Sequence, residues 1–374
     1  MWYNDLRPEA ELIPNKYALI FYQDHLKMSE ADKKRALQHL VELKQGLVAK
    51  IPPKTMDRNI LLASWNIKEF GHLGNRLPES YYYIAEIINA FDIVAIQEVK
   101  RTLFDLNLVM RLLGSHWAYV ITDVTEGTPG NKERFGYIYD TRRVQHSGLS
   151  GELVIPEDMA NEETKVFQLK RTPSIAGFKS GWKSFAIIGL HLHPGNEDDD
   201  QELRKEEVRL LLEVLKEKKN NGHLWSENLI VLGDTNLYND NTDIVQLFTD
   251  DDFKESAGLL GKPTNASLSE SYDRIFMGVD RYFKLVKDAN DIEKGGVFNL
   301  YDYVFSNAQR PLYHDFMLAH KDNPATLTDD DAFDSYYHRY WKRNQISDHL
   351  PIWIEIEEDS SSDFLESKRS QIDD

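Results

Sequence analysis

Residues Leu229-Ile230-Val231-Leu232-Gly233-Asp234-Thr235-Asn236 pass from four apolar side chains through a glycine into three polar ones. An apolar run this short reads as a buried strand, and the end of a strand is where polar side chains leave the sheet and enter loops that build sites. Gly233 lets the backbone approach a neighbour closely and turn. Asp234 and Asn236, two apart on an extended segment, would share one face and act together on a metal or phosphate. The pattern recurs. Asn66 follows Ile60–Trp65, Glu98 closes Asp92–Gln97, and Asp348-His349 stand directly before Leu350-Pro351-Ile352. Taken singly, each has an ordinary explanation: an Asp or Asn at a strand end more often caps a helix or makes a turn, and a lone glutamate pairs with a lysine. Repetition after several apolar strands favours a site.

Outward from these runs, strands alternate with amphipathic helices. Strands are expected at Ile60–Trp65, Ile93–Ile96, Trp117–Thr122, Phe135–Tyr139, Val166–Leu169, Phe185–Leu190, Leu229–Leu232, Arg274–Met277, Tyr303–Ser306 and Ile352–Ile356. Helices are expected near Tyr81–Ala90, Leu103–Leu113 and from a cap at Asp200 to Asn220. Many strands with helices between them and few hairpin signals imply two packed sheets with helices outside, an α/β architecture. Residues 1–55 read as an N-terminal extension holding one helix, capped by Ser29 and reaching Val48; 56–357 form the main domain. The Ser, Asp and Glu-rich tail 358–374 has too little apolar surface to pack and is expected to be disordered. The acidic stretches Glu197–Asp200 and Asp329–Asp331 read as loops or helix starts.

The chain has 374 residues with a formal net charge of -18. Such a surface repels nucleic acid and anionic membranes at long range, so a nucleic-acid substrate requires a bound cation and local Arg and Lys to reverse the potential in one cleft. There is no cysteine, which excludes disulfides, thiolate metal sites and cysteine nucleophiles. Hard cations such as Mg²⁺ or Mn²⁺ suit Asn, Glu and Asp oxygens, whereas zinc prefers more imidazole. No secretory leader and no membrane span is legible, which makes the cytoplasm the expected location. No partner protein is inferable.

Seven segments carry a resemblance: Ser64-Trp65-Asn66-Ile67, Ile96-Gln97-Glu98-Val99, Lys132-Glu133-Arg134-Phe135, Gly189-Leu190-His191-Leu192-His193, Gly233-Asp234-Thr235-Asn236, Ser271-Tyr272-Asp273-Arg274-Ile275 and Ser347-Asp348-His349-Leu350-Pro351-Ile352. In order and spacing they resemble the endonuclease/exonuclease/phosphatase superfamily, whose fold is deoxyribonuclease I-like. The resemblance implies a four-layered α/β/β/α sandwich of two mixed sheets with the site at one end. It implies Asn66, Glu98 and Asp348 as metal residues, and Asp234 with Asn236 as contacts to the phosphate and the attacking water. His349 is similar to the general base, oriented by Asp273. His191 resembles the second catalytic histidine, supported by Glu133, and Arg171 matches a phosphate-contacting arginine. Where deoxyribonuclease I has a tyrosine before its Lys-Glu-Arg segment this chain has Asn131, and where abasic-site nucleases carry asparagine it has His191. The latter points to the deoxyribonuclease, sphingomyelinase and inositol-phosphatase branches.

Water attack on a phosphodiester needs a base, positive charge for the non-bridging oxygens and help for the departing oxygen. Two histidine–carboxylate pairs beside a cation supply these. The expected activity is a Mg²⁺-dependent (or Mn²⁺-dependent) nuclease on DNA or RNA, with a phosphatase or phosphodiesterase of small esters or lipid headgroups as the alternative and a catalytically dead binding module as a third reading. His193 is expected to be structural or a substrate contact. The segment 313–344, with Tyr336, Tyr337, Tyr340, Trp341, Arg339, Lys342 and Arg343, reads either as a base-stacking surface or as a loop packed onto the body.

Overall fold

In the computed structural model, which describes residues 1–8, 26–71, 73–124, 132–160 and 166–373, the apolar runs build two six-stranded sheets. Helix α1 (Glu30–Lys50) precedes β1 (Asn59–Phe70), α2 (Pro78–Asn89), β2 (Ile93–Lys100), α3 (Phe104–Leu113), β3 (Trp117–Ile121) and β4 (Glu133–Asp140). The second sheet takes β5 (Gln145–Glu152), β6 (Ser174–Ser180), β7 (Lys183–His191), then α4 (Asp198–Asn220), β8 (Leu229–Asp234), α5 (Thr242–Asp250), β9 (Lys254–Glu255) and β10 (Asp273–Gly278). The chain returns to the first sheet through β11 (Gly295–Val297), α6 (His314–His320), α7 (Asp330–Tyr336), α8 (Lys342–Gln345) and β12 (Ile352–Glu357), and ends in α9 (Ser361–Asp373). Strand order is β11-β12-β1-β2-β4-β3 in one sheet and β5-β6-β7-β8-β10-β9 in the other.

Three apolar clusters set the layers. Ile60, Leu62, Phe135, Ile187, Leu232 and Ile352 belong to the cluster between the sheets. Side chains of α1, α2 and α3 cover the outer face of the first sheet, and those of α4 and α5 cover the second. This is the expected α/β/β/α sandwich. Each sheet is antiparallel except for one parallel pair, β1 with β2 and β7 with β8, made by the crossovers through α2 and α4. Both crossovers send their strands toward the same edge, where Asn66, Glu98, His191 and Asp234 lie.

Several expectations are corrected. Val166–Leu169 is not a strand, and Tyr303–Ser306 lies between 3-10 turns, with Val304 and Phe305 buried against helices instead of a neighbour strand. Strands β5 and β6 escaped the sequence reading because β5 is a largely exposed edge with two glycines and β6 begins at a serine. The cap of α4 is Glu197; Asp200 is its reciprocal partner in a capping box. The acidic run Asp329–Asp331 is a helix start, with Asp329 accepting from the Ala332 N–H.

Among the described residues before 56, the expected helix packs on the domain. Helix α1, capped by Ser29, buries Leu40, Leu43 and Leu47, and Arg35 pairs with Glu79 of α2 at 2.6 Å. The tail is helical rather than disordered: Phe364 packs its ring 5.6 Å from both Trp182 and Tyr282, and Asp363 pairs with Lys284. One aromatic anchor suffices where composition alone suggested none. In segment 313–344 the packing reading holds for Tyr337 and Trp341, buried against Phe305 and Tyr313, while Tyr340 is exposed and Lys342 is buried over the Tyr301 ring. No helix among the described residues is long and apolar enough to cross a membrane.

Replacing the tail anchor, Phe364→Ala, is expected to raise amide hydrogen exchange across 361–373 about tenfold while the global unfolding transition barely moves. Exchange mass spectrometry with a thermal melt checks both.

Candidate active site

Register puts the site together before any side chain is considered. His191 pairs with Asp234 across β7 and β8, and Asp234 pairs with Asp273 across β8 and β10, so three expected residues stand side by side at one sheet end. On the facing sheet Asn66 is level with Gln97, one residue before Glu98, and Glu133 pairs with Lys100. The loop before β12 then carries His349 over the gap. Ser347 fixes that loop: its Oγ donates to the Asn66 carbonyl at 2.6 Å and accepts from the Lys68 and His349 N–H groups.

The side chains meet on one oxygen. Asp234 Oδ2 accepts from Asn66 Nδ2 at 2.9 Å and lies 3.5 Å from His191 Nε2 and 3.6 Å from His349 Nε2. Each histidine is held from behind. His349 Nδ1 is 2.8 Å from Asp273 Oδ2, which also accepts from Thr264 Oγ1 at 2.7 Å; His191 Nδ1 is 3.4 Å from Glu133 Oε2. A carboxylate behind Nδ1 fixes that nitrogen as the proton carrier and turns Nε2 toward the gap.

The charges follow. Burial disfavours an imidazolium at His349, but Asp273 and Asp234 outweigh it and hold the ring well above the ordinary histidine range. Burial would also raise Asp234, yet His349 and His191 keep it below the usual carboxylate value. At Glu133 burial is again opposed, by His191, Arg171 and Lys100, and the carboxyl is pulled down to about 2.

The cation residues divide. Asn66, 1% exposed, gives its amide hydrogens to Glu98 at 3.1 Å and to Asp234, which leaves its Oδ1 with no partner among the described residues. Such a buried, unpaired carbonyl costs free energy unless something electropositive meets it. Glu98 sits at φ 61° and accepts from the Glu69 N–H, with Asp348 and His349 lining the same cavity of about 410 Å³. This donor set of amide and carboxylate oxygens fits a hard divalent ion. Asp348 is more open and faces Lys68 at 3.6 Å. Ligand atoms of Asp234, Asp273 and His349 also lie within 4.8 Å of one another, but Asp273 is already engaged by His349 and Thr264 through hydrogen bonds.

Two expected residues are held differently from the sequence expectation. Asn236 does not continue an extended strand: its φ is 49°, its N–H donates to Asp234 Oδ1 and its Nδ2 to the Leu192 carbonyl. The turn needs Gly233, whose φ is 138° and where a Cβ would fall 2.0 Å from the Leu190 carbonyl oxygen. Arg171 is buried, with Nε on Glu133 Oε2 at 3.1 Å and Nη1 on the Leu192 carbonyl at 3.3 Å, so it braces the His191 pair. His193 turns away to Asp200 at 2.9 Å. Asn131 lies outside the described residues. Sequence reasoning missed Thr264, Lys68, Lys100 and Tyr272, whose ring is 5.9 Å from His349; Ser347 sat unrecognised within a quoted motif, and Thr264 had no periodic or motif signal.

No protein-family profile matches the chain. Human deoxyribonuclease gamma is 25% identical over 331 residues, covering 83% of this chain and 89% of that protein. The fold of two six-stranded mixed sheets flanked by helices is deoxyribonuclease I-like. Among solved structures, a Bacteroides vulgatus endonuclease/exonuclease/phosphatase is 15% identical with TM-score 0.48, covering 81% of this chain and 99% of its own. D. rerio TDP2 with a single-strand DNA product is 15% identical with TM-score 0.49, at 80% and 98% coverage. A mannosyl-6-phosphatase from Bacteroides thetaiotaomicron is 16% identical with TM-score 0.48, at 79% and 99%.

Within this site Glu133 generates a stability prediction. Its carboxyl drops from an ordinary 4.5 to about 2 in the fold, so its contribution is complete above about pH 4.5 and is lost as pH falls toward 2. Glu133→Gln is expected to cost on the order of 2 kcal/mol at neutral pH and to flatten the pH dependence in that window. Urea unfolding at a series of pH values reads this out.

Proposed function

We propose that this protein is a divalent-cation-dependent phosphodiesterase acting as a nuclease on DNA or RNA, with Mg²⁺ or Mn²⁺ held by Asn66, Glu98 and Asp348. The observation that carries it is the convergence of two carboxylate-backed histidines on Asp234 Oδ2, at 3.5 and 3.6 Å, beside the unpaired Asn66 Oδ1. The cation supplies positive charge to the non-bridging phosphate oxygens. His349 acts from its neutral form, taking the proton of the attacking water at Nε2, and the imidazolium that Asp273 and Asp234 favour is the product of that step. Asp234 and Asn236 orient that water and the phosphate. His191 Nε2 gives a proton to the departing oxygen, and Glu133, braced by Arg171 and Lys100, keeps its ring in place. The similarity to deoxyribonuclease gamma supports the nuclease reading.

The charge of -18 favours a second reading at the same site, a phosphatase or phosphodiesterase of small esters, because a small substrate meets less of the repelling surface. A cytoplasmic location accompanies either reading; with no cysteine, nothing in the fold depends on an oxidising compartment.

Plasmid, single-stranded DNA, RNA and an aryl phosphodiester, each with Mg²⁺, Mn²⁺ or EDTA, separate the readings. Cleavage of polynucleotide is expected, abolished by EDTA, and His349→Ala should lower the rate by about 10³-fold or more. Turnover of the small ester alone would replace the nuclease reading with the second, and a preparation inert to all four would end both.

A further inference from the structure

A second cavity, of about 550 Å³, opens between α5, the residue 260–271 loop and the outer side of β9 and β10. Its volume is within the range of preformed small-ligand sites. Arg274 lines it at 8% exposure, with Nη1 on Glu255 at 2.9 Å and Nε without an acceptor among the described residues. A guanidinium so far from water with an unmet N–H favours an entering anion. Glu255 shares that wall as the guanidinium's ion-pair partner, its carboxyl pushed up by burial against the pull of Arg274.

The rest of the lining argues for more than a bare anion. Leu260 and Leu268 are 58% and 51% exposed at the rim, and Leu268 is held there at φ 55°. Asn239 and Gln246 add amide groups. The cavity also begins where the catalytic pairs end. Tyr238, on its wall, is two residues beyond Asn236, and its ring lies 5.1 Å from that of Tyr272, which is 5.9 Å from His349. Ser271, also on the wall, is two residues before Asp273.

We propose that this cavity is a second substrate subsite, in which Arg274 receives the phosphate and the Leu260–Leu268 rim the base of a phosphorylated nucleoside adjacent to the bond being cleaved. It rests on the phosphodiesterase reading above and adds to it a pocket that grips the substrate beyond the reacting phosphate. A chain end or a nucleotide within a strand would each present this chemistry.

Calorimetric titration of the full chain in EDTA, where hydrolysis is silent, tests it with AMP, adenosine and inorganic phosphate. AMP is expected to bind at least tenfold more tightly than either component. Gln246→Trp, a substitution at an exposed lining position, and Arg274→Lys should each weaken AMP binding tenfold or more with an unchanged melting temperature, and His349→Ala should leave it intact. Should Arg274→Lys prove unstable, Gln246→Trp decides alone. Absence of AMP binding, equal binding by Gln246→Trp, or loss of binding in His349→Ala would overturn the subsite. Hydrolysis of the aryl diester with Mg²⁺ by the same wild-type preparation reports separately on the phosphodiesterase reading. Competition by oligonucleotides with and without a terminal phosphate identifies the source, since only a chain-end site favours the terminal phosphate.

Discussion

Asp234 is the constraint around which the active edge is arranged. A carboxylate buried to 2% exposure is costly unless donors surround it, and here Asn66, His191 and His349 reach it from three separate segments. Each of those groups needs its own anchor. Asp273 and Glu133 stand behind the histidines, and Glu98 takes the other hydrogen of the Asn66 amide. Removing the central carboxylate would therefore leave several buried donors unmet at once, and the cost would spread through a connected network instead of one contact.

Backbone topology explains why such a network forms at all. A parallel pair needs a crossover, and the helices α2 and α4 supply one in each sheet. Both pairs run to the same edge of the sandwich, so His191 and Asp234 at the ends of β7 and β8 face Asn66 and Glu98 near the ends of β1 and β2 across the gap between the two sheets. The antiparallel neighbours add Glu133 and Asp273 by register alone. Ser347 then ties the incoming His349 loop to β1 through the Asn66 carbonyl, which sets the height of the imidazole above Asp234.

Much of this was legible. The apolar runs that end in Asn66, Glu98 and Asp234 named both the strands and the polar groups at their tips, because burial on both faces makes such strands read as continuous apolar segments. What escaped has a common physical cause. Edge strand β5 has one face in water, so it carries no such run; Phe364 anchors the tail against two rings, a local contact that composition averages away; Asn236 and Arg171 are positioned by the Leu192 carbonyl, which no side-chain pattern reveals. Thr264 is invisible for the same reason, since its value lies in reaching Asp273 from a loop.

The acidic surface and the cation-rich site are reconciled by distance. At physiological ionic strength the screening length is about 8 Å, so the charge of -18 slows the approach of a polyanion but acts little on a phosphate already seated. What that phosphate meets is local. Lys68, Lys100, Arg134 and Arg171 border the two small cavities that flank Glu98. Three of them are committed to carboxylates: Lys68 to Asp348, Lys100 and Arg171 to Glu133. The cations therefore largely balance the acids that hold the histidines, and on the proposed reading a divalent ion at Asn66, Glu98 and Asp348 would supply the net attraction for a phosphate. On the proposed reading, a phosphate at the reacting position would depend on an ion beside the unpaired Asn66 carbonyl, whereas contacts away from that position would not.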